Sequence, residues 1–182
     1  MARRREVLNH CRQGKEKMKT KVEVKFNQVV KEAFHQVLKP LGFKKKNNNF
    51  YKPCEGFGHM VNLQKSIYYS KEHLHFTINI GLFLPEFYKG YFKTEPPAFP
   101  SEPDCVIRKR VGWLLDGNDK WWDVTHETDS DLLSEELKTI VCQKILPFLD
   151  QYQSKADVLS AVNRGFGVWT KSASNIALGE NK

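Results

Sequence analysis

Over residues 58–83 the chain repeats one pattern twice, on either side of a polar break. In GHMVNLQKSIYY, Val61, Leu63, Ile67 and Tyr69 alternate with Asn62, Gln64, Ser66 and Tyr68. In LHFTINIGLF, Leu74, Phe76, Ile78, Ile80 and Leu82 alternate with His75, Thr77, Asn79 and Gly81. A period of two sends successive side chains to opposite faces of an extended strand, so each arm has one apolar and one polar face. With residues 70–73 as the turn, symmetrical closure predicts Tyr68 opposite His75, Ser66 opposite Thr77, Gln64 opposite Asn79 and Asn62 opposite Gly81. A slip of one residue would put the two apolar patterns on opposite faces, which specifies the register. Lys65 falls among the apolar positions. Either it reaches past the sheet edge or a bulge turns it outward.

The flanking segments supply what such a hairpin needs to pack against. From residue 22 to 38, Phe26, Val29, Val30, Ala33, Phe34, Val37 and Leu38 recur at helical spacing, and Pro40 and Gly42 end the run. Residues 43–52 read as a short hairpin turning at Asn47, Asn48 and Asn49, because asparagine tolerates positive φ. Residues 84–104 hold five of the eight prolines, interleaved with Phe87, Tyr88, Tyr91, Phe92 and Phe99. This predicts a long ordered loop packed by its own aromatics, with a helical turn over residues 86–91. Period two resumes over residues 105–115, with Ile107, Val111, Trp113 and Leu115 on one face and Arg108 and Arg110 on the other. After a turn at residues 116–119, residues 120–124 return as a strand. One of Trp121 and Trp122 must face away from the other, either under the 84–104 loop or as a contact residue. Ser130 or Asp131 caps a helix whose stripe is Leu133, Leu137, Ile140, Val141, Ile145, Phe148 and Leu149, with Pro147 ending or kinking it. A last short helix covers residues 156–162. The resulting expectation is an α+β domain, with a mainly antiparallel sheet of about six strands and two main helices on its apolar face.

The 182 residues suit one domain with appendages. Residues 1–20 form a basic arm, expected to be flexible, and Met18 is a plausible second start. Residues 21–169 form the domain, and residues 170–182 a flexible tail. Half of the net charge of +8 lies in residues 1–17, and the rest is unexceptional for a globular domain. No apolar run is long enough to span a bilayer and the basic start leads into no hydrophobic segment, so no membrane partner and a cytoplasmic location are expected. Cys11, Cys54, Cys105 and Cys142 form no C-x-x-C pair, giving neither a disulfide framework nor a zinc knuckle.

Several segments occur in an order that resembles a known family. They are Leu41-Gly42-Phe43-Lys44-Lys45, Phe50-Tyr51, Asn62-x-Gln64-Lys65-Ser66, Thr77-x-Asn79-x-Gly81, Trp121-Trp122 and Leu146-Pro147-Phe148-Leu149. Together they resemble the domain of unknown function 4304 family, mainly bacterial, over roughly residues 22–150. The resemblance implies domain limits that leave the arm and the tail outside, and a domain start near Met18. It implies no activity and no catalytic residues.

The residues themselves offer one leading candidate surface. Asn62, Gln64, Ser66, Thr77 and Asn79 would stand side by side on the polar hairpin face, with Tyr68 and His75 at one end. Asparagine is depleted in strands, so such a face would hydrogen-bond a peptide, nucleotide or sugar, or would be merely wet. Arg108 and Arg110 would bind phosphate or carboxylate beside it, or pair with surface acids. His73-x-His75 puts two imidazoles on one side of a strand, but no third ligand follows from the spacing, and no metal or cofactor is assigned. Cys54 and His59 are close in sequence only, and Gly56-Phe57-Gly58 lacks a dinucleotide loop's third glycine, so no catalytic residue is named. The leading expectation is a non-catalytic protein- or peptide-binding module, of immunity or regulatory type. The alternatives are nucleic-acid binding through the arm, Lys44, Lys45, Lys46 and the two arginines, or an enzyme on a nucleotide or other anion centred on Gln64, Asn79, His75 and Arg108.

Overall fold

A computed structural model describes residues 19–166. The basic arm up to Met18 and the tail from Thr170 therefore lie outside the described residues. The first helix, α1, opens at Lys21–Val29 behind a capping box, in which the Thr20 hydroxyl accepts from the Glu23 amide and the Glu23 carboxylate accepts from the Thr20 amide. It widens to a π-helical stretch over Val30–His35 and returns to α at Gln36–Leu38. Its buried stripe of Val22, Phe26, Val29, Val30, Ala33, Phe34 and Leu38 meets the apolar sheet face. Phe26 packs edge-on to Phe76, and Phe34 stacks on Phe50.

Six strands form one antiparallel sheet: β1 (Lys44–Lys46), β2 (Asn49–Cys54), β3 (Phe57–Lys65), β4 (His73–Phe83), β5 (Ile107–Arg110) and β6 (Trp122–Thr125). The path runs β1-β2-β3-β4-β5, and β6 pairs with β4 beside residues 73–76, where β5 does not reach. Asn47, at φ 54°, makes the β1–β2 reversal. Pro53 is tolerated in β2 because β1 pairs only with residues 49–51, which leaves no partner there for the missing N–H.

The β3–β4 hairpin keeps the predicted faces but not the predicted register. Asn62 faces Asn79, Gln64 faces Thr77 and Met60 faces Gly81, two residues away from symmetrical closure on a four-residue turn. A slip of two leaves every side chain on its own face, so alternation alone does not discriminate against it. β3 ends at Lys65, which stays in register opposite Phe76 with no bulge, and its ammonium lies over the Phe26 ring at 4.6 Å. Ser66 lies beyond the strand, and Ile67 and Tyr69 stand in solvent rather than on the apolar face. The 66–72 loop is built on hydroxyls. Ser66 Oγ accepts from the Tyr68 amide, and Ser70 Oγ accepts from those of Glu72 and His73.

The strand expected over residues 105–115 is shorter, because the chain turns into one helical turn, Gly112–Leu115, after Val111 donates to the Ile78 carbonyl. Gly112 is required there: a Cβ would stand 2.1 Å from the Asn118 carbonyl oxygen. Trp113 is consequently exposed rather than aligned with Ile107. The 84–104 segment contains α2 (Pro85–Phe92), and its aromatics pack on one another, Tyr88 on Phe92 at 4.6 Å and Phe87 on Tyr91 at 5.8 Å.

α3 begins at Ser130–Ile140 and is capped by Asp129, one residue earlier than expected, whose carboxylate accepts from the amides of Asp131 and Leu132. It passes through a π-stretch at Val141–Ile145 and ends as α over Leu146–Leu149. The Leu146 amide reaches the Val141 carbonyl, five residues back, so the wider turn accommodates Pro147 and the helix continues. The same widening absorbs the drift of a four-residue repeat against a 3.6-residue turn. Leu133, Leu137, Val141, Ile145 and Leu149 all stay buried, and Ile140 and Phe148 sit at the margin. α4 (Lys155–Asn163) starts from a Ser154/Asp157 capping box and adds Val158, Ala161 and Val162 to the core.

Candidate functional site

The face of the sheet away from α1 and α3 divides into three zones. At the end nearest α2, Tyr51, Met60, Phe83 and Cys105 form a second, smaller core, closed by Tyr88 and Phe99. Two glycines make room for it: a Cβ at Gly58 would meet the Tyr51 ring at 2.4 Å, and one at Gly81 would meet Cys105 Sγ at 2.6 Å. Burial pushes the Tyr51 phenol up to about 12 and the Cys105 thiol well above its usual value, which leaves Cys105 an inert packing residue. This part of the face is covered, not wet.

The middle zone is the predicted amide cluster, and its residues are committed to one another. Asn49, Asn62, Asn79 and Arg110 stand in one row across β2, β3, β4 and β5. Asn62 Nδ2 donates to Asn49 Oδ1 at 2.8 Å, and Asn79 Nδ2 donates to Asn62 Oδ1 and Gln64 Oε1, both at 3.0 Å. Asn79 is 4% exposed, and Thr77 is fully buried with its hydroxyl donating to the Lys120 carbonyl. Gln64 is exposed and Ser66 half-buried.

Both arginines have acidic partners. Arg108 grips the buried Glu102 with two bonds, Nε to Oε1 at 2.6 Å and Nη2 to Oε2 at 2.9 Å, and this contact raises its pKa further. Arg110 pairs with Asp119 and lies over the Trp121 ring at 5.3 Å, while Trp121 Nε1 donates to the same carboxylate at 3.0 Å. Trp121 is thus covered by an arginine, not by the 84–104 loop. Trp122 faces the core, stacked on Phe76, with its Nε1 donating to Glu136.

The third zone is the open end. His73 and His75 project on the same side of β4, and β6 places Asp123 directly opposite His75. Asp123 Oδ1 meets both His73 Nε2, at 3.2 Å, and His75 Nδ1. The spacing of the two imidazoles was legible; the carboxylate came from the β4–β6 register, which no local pattern encodes. His59 is buried elsewhere, with Nε2 donating to the Tyr152 carbonyl at 3.1 Å. Beside this end stands the 66–72 loop, with Ile67 82%, Tyr68 83% and Tyr69 57% exposed. Sequence reasoning set Tyr68 at one end of the candidate face but missed Ile67 and Tyr69, because their alternation continued that of the strand. Tyr68 lies in this loop rather than paired with His75.

A cleft of about 420 Å³ beside β5 takes in Arg108, Lys109, Phe148, Tyr152 and Arg164, but not Gln64, His75 or Asn79. Among the described residues no helix is long and apolar enough to cross a membrane. Comparisons with curated proteins and with solved structures found no match. A family model described as Domain of unknown function (DUF4304) matches residues 34–151, well over half of the chain. The ordered motifs and the family match agree, and the chain belongs to the DUF4304 family.

Proposed function

We propose that this domain is a non-catalytic protein- or peptide-binding module whose contact surface is the 66–72 loop, Ser66 included, with Gln64 and His75 beside it. The observation that carries the reading is the run Ile67, Tyr68 and Tyr69, three consecutive large side chains held in solvent by a hydroxyl-capped loop. Contiguous exposed apolar surface of this kind marks interaction sites, and tyrosine is enriched where one protein contacts another. The amide row, with Asn62, Thr77 and Asn79, serves in this reading as the framework that holds β3 and β4 rigid behind the loop.

Two observations weigh against the other readings. Arg108 and Arg110 are neutralised by Glu102 and Asp119, which removes two of the cations a nucleic-acid surface would use. The 420 Å³ cleft does not join the polar groups that an enzyme on an anionic substrate would bring together. The test is affinity capture from a lysate of the source organism, comparing the wild type with I67S/Y68S/Y69S. The reading expects a partner retained by the wild type and lost by a variant of unchanged melting temperature. Equal capture by both would overturn it.

A further inference from the structure

We infer that His73, His75 and Asp123 form a binding site for a divalent first-row transition metal ion such as Zn²⁺, on the open end of the sheet. The three side chains offer two imidazole nitrogens and a carboxylate oxygen, all within 4.8 Å of one another. His73 Nε2 and His75 Nδ1 converge on the same oxygen, Asp123 Oδ1, so all three ligand atoms face one common volume. A tetrahedral ion with bonds of about 2.1 Å spaces its ligands about 3.4 Å apart, so small side-chain rotations complete the site. Metal binding takes each imidazole through an unprotonated ring nitrogen, so it competes with protons.

The backbone holds these ligands in place. His73 and His75 flank the buried Leu74 on β4, and Asp123 sits between the buried Trp122 and Val124 on β6. His75 and Asp123 are a registered cross-strand pair, and the next pair along, Phe76 and Trp122, stacks in the core behind them. Each ligand therefore projects outward from a strand whose alternate residues are locked in the interior, a rigid mounting for a site. The donor set selects the ion class. Two imidazoles and one carboxylate suit zinc, cobalt, nickel or copper, whereas calcium and magnesium take oxygen ligands. Three protein ligands leave a coordination position for water or for a side chain from another molecule. The inference shares His75 with the protein-binding reading but does not rest on it, and that reading needs no metal.

The experiment is calorimetric titration of the full chain with Zn²⁺ in reducing buffer, alongside Co²⁺ absorption spectra. The wild type should bind one Zn²⁺ saturably, and H73A, H75A and D123A should each weaken it by about tenfold or more. All three positions are more than a third exposed, so these variants should melt as the wild type does, and equal melting curves verify that the loss is local. Bound Co²⁺ should show visible d–d bands without thiolate-to-metal charge transfer, which separates this site from the exposed Cys142. No saturable binding, unchanged affinity in H73A/H75A, or a thiolate spectrum would each overturn the inference.

Discussion

The Cys105 thiol rests on the bare backbone of Gly81, so close that a Cβ there would lie 2.6 Å from Sγ and 2.9 Å from Cys105 Cβ. The contact shows why the second core exists: glycine in a strand marks a place where something else must come near. Gly81→Ala should overpack this seam and cost about 1–3 kcal/mol, read from urea midpoints. A neutral effect would show that the 99–106 segment moves aside freely.

Phe34 is fully buried and stacks on Phe50, whereas Ile140 lies at the core margin. Phe34→Ala should cost about 3–5 kcal/mol and Ile140→Ala about 1–2 kcal/mol. Paired denaturation curves check the ranking. Equal losses would mean that α3 is rotated relative to its described orientation.

Burial lowers the pKa of His59 below 6.5, more than the opposing bond to the Tyr152 carbonyl raises it, with Lys52 adding to the depression. The unfolded chain then takes up this proton more readily than the folded one. Stability from His59 is fully present above the unfolded pKa and is lost as pH falls from there through the lower folded pKa. His59→Gln, which keeps a donor for the carbonyl, should flatten the stability loss between about pH 7 and about pH 5. An unchanged slope in urea midpoints across that window would assign the loss to other groups.

Removing Arg108 leaves Glu102 buried and unpartnered by its guanidinium, at a cost of about 1–3 kcal/mol. R108A should therefore lower the melting temperature. Its binding to generic duplex DNA, measured over a salt series, should match the wild type. A shallower salt slope would place Arg108 on a phosphate surface instead.

The chain made the layers of this fold readable because alternation and helical spacing report which side of an element faces inward. The faces of β3 and β4 and most of both helix stripes follow from that alone. Register did not, because moving Asn62 from Gly81 to Asn79 changes no side chain's face, and the difference resides in a loop held by Ser66 and Ser70. Pairing between distant segments was equally hidden: Asp123 reaches His75 only because β6 takes the part of β4 that β5 leaves free. Among the candidate residues, Asn62, Thr77 and Asn79 were found as a cluster because alternation puts them on one face, and the two asparagines stood out because asparagine is depleted in strands. Their partners turned out to be neighbouring amides, Asn49 and Gln64 among them, and the Lys120 carbonyl.

The central claim is that the amide row is framework and the adjoining loop is contact surface. The Gln64→Thr/Asn79→Thr double variant tests it most directly, by a thermal melt with partner capture below the melting temperature. On the sequence alone, a wet or ligand-binding face would tolerate this change with folding intact. With Asn79 buried and donating to both neighbours, the account predicts a loss of about 1–3 kcal/mol, while the folded fraction still captures what the wild type captures. Full stability with capture abolished would contradict it, and would return the binding surface to the amides themselves.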